Sequence, residues 1–345
     1  MNFISDNTAG AAPEIMAAIQ RANQGIESSY GADTITTRLN SKLSAFFEKE
    51  VAVFPVATGT AANALAIATI TPHFGAVLCH EGSHINVDEC GAPEFYSGAK
   101  LVPIKTTNAK LTPSAVKAAL AHFSRGNVHQ VQPATISITQ ATELGTVYTP
   151  DEVQLLSHLA KAESLALHMD GARFANALAH LKCTPAELTW KSGVDVLSFG
   201  ATKNGALAAE AVIFFNPSSV QDLAYRRKRG GHLLSKMRFV SAQLEAMLDG
   251  DLLLKLAAHA NAMAKKLEQG LRALPGFNVV HPVQANEVFV KLPSQSAQQM
   301  LEQKAAEFYL WEPVTDGRPL IRLVCSFATK DDEVEAFLMA AKKLA

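Results

Sequence analysis

The stretch D-V-L-S-F-G-A-T-K-N-G-A (195–206) runs apolar, then turns through glycine to a lysine. It is followed at once by a second apolar run, A-A-E-A-V-I-F-F (208–215). Burying an ammonium is costly, so a lysine where the chain passes through the core needs a task. Upstream, S-L-A-L-H-M-D (164–170) reads as a strand closed by an acid, and Gly171, Ala172 and Arg173 follow it. A strand-end lysine in a partly desolvated pocket loses its proton more readily and can form a Schiff base with a carbonyl. A strand-end aspartate can hold a heteroaromatic nitrogen protonated, and an arginine fork can grip a carboxylate. The alternative is a loop acid and a surface arginine.

Outward from these strands the periodicity alternates between helix and strand. Helical patterns cover 13–22, 41–47, 58–70, 111–121 and 151–163, and strand-like runs cover 76–79, 101–104 and 134–140; V-A-V-F-P-V (51–56) fits either a strand or a helix end. Strands separated by helices of this length predict an α/β fold with a mostly parallel sheet, whose polar strand ends are where ligands sit. Beyond about residue 240 the pattern changes to a long helix (251–270), the strand-like runs F-N-V-V, E-V-F-V-K-L and I-R-L-V-C-S-F, and helices over 295–308 and 331–344. Two units are therefore expected: a large N-terminal one, 1–245, and a smaller C-terminal α/β one, 246–345.

Composition narrows the function. The 345 residues are 48% hydrophobic, and 31 Lys+Arg balance 32 Asp+Glu. Such a chain buries a large core and offers no broad basic surface to nucleic acid. The one dense basic run, Y-R-R-K-R-G-G-H-L-L-S-K-M-R (225–238), reads as a solvated helix face or an anion site shared between subunits. No apolar run reaches the roughly 18 residues of a membrane span. The opening M-N-F-I-S-D-N-T has no export pattern, and the four cysteines are scattered, so a reducing, cytoplasmic setting is expected. No C-x-x-C or H-E-x-x-H supports a metal site.

T-G-T (58–60) enters a helix without the lysine of a Walker loop or the spacing of a dinucleotide fingerprint. A helix N-terminus there can take a phosphate. His84 stands in a loop crowded by His80, Glu81, Asp88 and Glu89. Its ring can stack on a pyridine or exchange protons near neutral pH. Strand-end Asp, strand-end Lys and an upstream Gly-Thr at a helix start form the layout of a pyridoxal-phosphate enzyme.

The motifs S-D-N-T (5–8), Y-G-A-D (30–33), T-G-T-A-A-N (58–63), H-I-N-V-D-E (84–89), H-M-D-G-A-R-F-A-N-A (168–177) and I-R-L-V (321–324) follow one another in order. Through them the chain resembles the threonine aldolases, fold-type-I pyridoxal-phosphate enzymes of aspartate aminotransferase-like architecture. The resemblance implies a lyase that splits L-β-hydroxy-α-amino acids into glycine and an aldehyde. It implies pyridoxal 5'-phosphate on Lys203, Asp170 at the ring nitrogen, His84 stacked on the ring, and Gly59 and Thr60 at the phosphate. Ser5, Arg173 and Arg322 would hold the substrate carboxylate, with Arg173 also near the cofactor. The assembly implied is a homotetramer, a dimer of dimers with shared active sites.

Two departures stand out. Where many relatives carry a histidine in Glu-Asn-Thr-His-Asn, this chain reads Q-A-T-E-L-G (140–145), which puts Glu143 there. His84, or a water it orders, is then the expected base for the β-hydroxyl. The relatives' Gly-Gly-x-Met-Arg is stretched to G-G-H-L-L-S-K-M-R (230–238), so Arg238 is the expected phosphate contact, with Lys236 and Arg226 as alternatives. A phenylserine-preferring aldolase, another fold-type-I reaction such as β-elimination, and a non-catalytic binding protein are the competing readings.

Overall fold

The structure is a computed structural model; it describes residues 1–345 except 221, 304, 316 and 345, and no side chain at 219 or 312–315. The strands of the first sheet are β1 (Ala52–Val56), β2 (Gly75–His80), β3 (Lys100–Ile104), β4 (Gln132–Thr139), β5 (Ala166–Gly171), β6 (Val196–Gly200) and β7 (Glu210–Phe214). They lie in the order β1-β7-β6-β5-β4-β2-β3. β7 alone runs against its neighbours β1 and β6; the other pairings are parallel. Residues 51–56, open between two readings, thus supply an edge strand.

Parallel strands need crossovers that cover both faces of the sheet, so these strands are apolar on both sides. Leu167 and Met169 of β5 join the main core on one face, along with Phe174 and Phe199. The opposite face carries a polar row. Ser137 of β4 and Ser198 of β6 hydrogen-bond the two ring nitrogens of His168 at 2.8 and 3.0 Å. Because side chains alternate along a strand, Asp170 emerges on the same face as His168, one repeat nearer the strand end. Helix Gly59–Ile70 covers that face. It is apolar nearly all round, and its alanines let it sit buried against β6 and β7 with helix Ala92–Ser97 outside it.

The β5 and β6 exits crowd each other. A Cβ on Gly200 would lie 2.8 Å from the Ala172 backbone, so the F-G-A turn that leads to Lys203 needs glycine there.

The second unit is a four-stranded antiparallel sheet, ordered β10-β11-β9-β8, from β8 (Asn278–Val279), β9 (Glu287–Lys291), β10 (Tyr309–Thr315) and β11 (Arg318–Val324). The helix expected over 295–308 ends at Glu302, and the aromatic, β-favouring run from Tyr309 becomes a strand. The helix expected at 41–47 begins earlier, at Thr34. Its Asp33 cap accepts from Thr36 N, although the β-branched Thr34, Ile35, Thr36 and Thr37 mask the helical pattern. Helix Leu252–Arg272 joins the two units: Leu253 and Ala257 lie in the first core, Ala264, Leu267 and Leu271 in the second. Phe3 also packs in the second core, and its backbone pairs with Glu307 and Val324. That pairing ties the chain's start to the small sheet and sets residues 5–7 beside the strand ends of the large one.

Candidate active site

A cavity of about 270 Å³ opens where the parallel strands end. β1 leads into Ala57–Thr60, β2 toward His84 and Glu89, β4 to Thr139 and Glu143, β5 to Asp170 and Arg173, and β6 to Thr202 and Lys203. Antiparallel β7 begins at the same place with Glu210, and Asn7 reaches the wall from the chain's start. Lys203 sits on a short turn, Thr202–Asn204. Asn204 anchors it by donating to Leu253 O (2.9 Å), and Gly205 closes it at φ +103°.

One set of polar groups forms a chain across the cavity. Asn63, from the buried helix, donates through Nδ2 to Asp170 Oδ2 and Glu89 Oε1, both at 2.8 Å. Glu89 Oε1 also receives His84 Nδ1 at 2.8 Å, and Asp170 Oδ1 accepts from Ala172 N at 3.0 Å. The Glu89 hydrogen bond raises the basicity of His84 above the usual histidine value. Burial and Lys203 oppose that shift, and Asp170 adds to it. Glu143 Oε1 accepts from His84 N (2.9 Å) and Thr139 Oγ1 (2.8 Å), and burial pushes its pKa up to about 7. Burial also pushes Glu210, which accepts from Thr202 N, up to about 7. Three buried atoms around the cavity, Asn63 Oδ1, Glu89 Oε2 and Glu143 Oε2, have no hydrogen-bond partner.

The other set is built around ion pairs. Arg173 uses Nε and Nη2 as a fork on Asp6, at 2.8 and 3.1 Å, and Asn286 donates to Asp6 at 3.1 Å. Burial raises the Asp6 pKa, but Arg173 and Lys203, aided by the two hydrogen bonds, bring it below the usual carboxylate range. Glu287 lies 3.5 Å from Arg173 and 3.9 Å from Arg322, and neither of its oxygens accepts a hydrogen bond. The Arg322 guanidinium rests over the Tyr309 and Trp311 rings, 5.3 and 5.0 Å from their centroids.

Comparison with known proteins agrees with this geometry. The family model for beta-eliminating lyases matches residues 2–295. Low specificity L-threonine aldolases from a Pseudomonas strain and from Pseudomonas aeruginosa are each 44% identical to the chain over 333 residues, covering 96% of it and 94% of each relative. The chain belongs to this aldolase family. A solved threonine aldolase from Leishmania major superposes with a TM-score of 0.94 at 29% identity, over 100% of this chain and 99% of that one. The fold is therefore the fold-type-I, aspartate aminotransferase-like one, and the family's cofactor is pyridoxal 5'-phosphate.

The residues present fit that cofactor. Asp170 offers a buried carboxylate, Lys203 an amine on the same wall, and helix Gly59–Ile70 its N-terminus, with open space where a Gly59 side chain would stand. The partnerless oxygens of Asn63 and Glu89 mark the cavity as built for a polar guest.

Six of the residues singled out from sequence meet on this wall: Gly59, Thr60, His84, Asp170, Arg173 and Lys203. Three others stand off it. Ser5 accepts from Asn7 N and caps a turn, so Asn7 reaches the cavity instead. Arg322 is held behind Glu287 by its two aromatic rings. Arg238 lies over Phe239 and donates to Gly25 O (3.4 Å), outside this chain's own cavity. The basic run is not wholly solvated either, since Arg227 is buried and donates to Pro55 O. Asn63, Glu210, Asp6 and Glu287 had no role assigned from sequence. An acid inside the apolar run 208–215 is the same kind of signal as the lysine at 203, and it points to Glu210. Among the described residues, no group of three or more His, Cys, Asp or Glu is placed to hold a metal ion.

Proposed function

We propose that this chain cleaves L-threonine, L-allo-threonine and related L-β-hydroxy-α-amino acids to glycine and an aldehyde, with Lys203 as the attachment point of its cofactor. The observation that carries this is one cavity wall shared by Lys203, Asp170, His84 and the helix start at Gly59. When bound, pyridoxal phosphate supplies an electron sink for a carbanion at Cα. Asp170, fixed through both oxygens by Asn63 and Ala172, would hold the proton of the ring nitrogen. His84, its edge set by Glu89, would be the stacking wall. The N–H groups of Gly59 and Thr60 would hold the phosphate. Arg173 faces the α-carboxylate from the paired end of the cavity, and Arg322 acts from behind it through the shared Glu287, beside the turn capped by Ser5.

The same reading extends to assembly and location. Ile26, Tyr30, Phe95 and Tyr225 expose large apolar surface, which supports a homotetramer built of dimers in which Arg238 serves a neighbouring phosphate site. The four unpaired cysteines suit a reducing, cytoplasmic setting. Among the described residues no helix is long and apolar enough to cross a membrane.

The deciding assay supplies L-threonine, L-allo-threonine and phenylserine to the holoprotein and follows aldehyde and glycine. Glycine with stoichiometric aldehyde is expected. Ammonia and a keto acid instead would move the chain to β-elimination, the reaction named by the matching family model. No turnover of any of them would support a binding protein.

A further inference from the structure

The proposed reaction needs a group to take the proton of the β-hydroxyl, and the sequence pointed to His84. His84 is already engaged as the stacking wall. Its Nδ1 is held by the Glu89 carboxylate, a bond that favours the cationic ring, and only a neutral ring has a lone pair with which to accept a proton. Asp170 has both oxygens engaged, and Glu89, whose Oε2 is also partnerless, has a fully buried side chain with Oε1 taken by both His84 and Asn63.

Glu143 has a free oxygen, unlike Asp170, and is only partly buried, unlike Glu89. It lines the cavity on the turn after β4, with Oε1 pinned by two donors and Oε2 left without any. A buried acceptor without a partner costs free energy that an incoming hydroxyl recovers. We infer that Glu143 is the catalytic base that accepts the β-hydroxyl proton through Oε2. This rests on the aldolase reading above.

The step balances. The O–H bond breaks, its proton goes to Glu143, and the Cβ–O bond becomes the aldehyde carbonyl. The Cα–Cβ bond breaks with its electron pair left at Cα. Glu143 then releases its proton to solvent and Cα takes one back, so threonine leaves as glycine and acetaldehyde.

The charged and titratable groups around Glu143 suit a base that works near neutral pH. Burial is the main reason its carboxyl titrates at about 7, and the Asp170 charge adds to it. His84 meets it through its backbone N–H. Arg173 lies within its field, and so do the Cys79 thiol and the Tyr148 hydroxyl, both held neutral chiefly by burial. Ionised Glu143 is the active form, so the acid limb of kcat/KM should rise through about pH 7.

The test uses the holoprotein and the variants Glu143→Gln and Glu143→Asp. Two reactions are compared: aldehyde release from L-threonine, and exchange of the glycine α-proton with D2O, which involves no β-hydroxyl. Glu143→Gln should lower cleavage by about 10²–10⁴-fold and lose the limb near pH 7. Its ratio of cleavage to exchange should fall at least about 30-fold below wild type. Glu143→Asp should recover part of the cleavage and keep a limb. In the cofactor-free chain, infrared difference spectra should show two carboxyls that titrate near neutral pH, Glu143 and Glu210, and Glu143→Gln should keep only one of them. Cleavage and exchange falling together would overturn the assignment, since that marks a structural role. Unchanged cleavage, or a Glu143→Gln spectrum that loses no neutral-range carboxyl, would overturn it as well. A wild-type protein that performs neither reaction would fail the aldolase reading instead, a result distinct from all of these.

Discussion

The two ends of the cavity handle burial of charge in opposite ways. At the lysine end, around Lys203, Asp170, Asn63, Glu89 and Glu143, buried acceptors are left open and Glu143 and Glu210 titrate near 7. At the arginine end, Asp6, Arg173, Glu287 and Arg322 pair with one another, and Asp6 is held below the ordinary carboxylate range. The first end holds Glu143 and Glu210 without a guanidinium partner, poised for a guest. The second sets Asp6 and Glu287 against two guanidiniums, although the Glu287 oxygens and Arg322 Nε still lack hydrogen bonds. Ion pairing is thus concentrated at one end and buried acids raised toward neutrality at the other.

The sharpest break in that contrast comes from the arginine end. Arg173→Met leaves Asp6 buried without its guanidinium and Glu287 with Arg322 alone, and breaking a buried pair costs about 3–5 kcal/mol of stability. Urea unfolding of the variant should show a loss of that size. A loss under about 1 kcal/mol would mean that this end is not held by its ion pairs.

At the lysine end the comparable change should spare the fold and strike the chemistry. Asp170→Asn keeps a hydrogen-bonding group but removes the charge. Turnover of L-threonine should drop about 10²–10³-fold, the range for losing one preorganised electrostatic group, with the cofactor still bound. Single-turnover cleavage at saturating cofactor is the measurement, and a rate within a few-fold of wild type would contradict the role given to Asp170.

Glu210 gives the smallest effect and sharpens the contrast through pH. Its carboxyl is raised from 4.5 to about 7 by burial, so the folded chain binds that proton more tightly than the unfolded one. The stability this contributes is fully present below about pH 4.5 and is lost as pH rises through 7. Glu210→Gln should therefore stabilise the cofactor-free chain by up to about 3 kcal/mol at pH 8, with the gain gone at pH 4. Equal stability at both values would mean the carboxyl is not strained by burial.

The same division explains what was legible in the sequence. Lys203, Asp170 and Arg173 lie at or just past strand ends, each a polar residue interrupting an apolar run, and Gly59 opens a helix just after β1, so local pattern exposes them. Asp6 meets Arg173 across 167 residues of chain, and Asn286 meets Asp6 across 280, so only the fold brings them together. Asn63 lay inside a quoted motif, but its task depends on Glu89 and Asp170 arriving from two other strand exits. Arg322 fell on a strand, yet nothing local tells that Tyr309 and Trp311 hold it behind Glu287; the helix drawn through 295–308 ran almost up to Tyr309 and left β10 unread. The mostly parallel sheet was readable because alternation of helix and strand is itself local, whereas the antiparallel direction of β7 is set by the short turn around Lys203.

The central claim is that Lys203 carries the cofactor. It is tested most directly by reducing the holoprotein with borohydride and locating the added mass by peptide mass spectrometry. The account predicts the pyridoxyl phosphate adduct on the peptide containing Lys203, and no adduct when Lys203→Ala is treated in the same way. An adduct on another lysine, or a wild-type chain that takes up none, would contradict it.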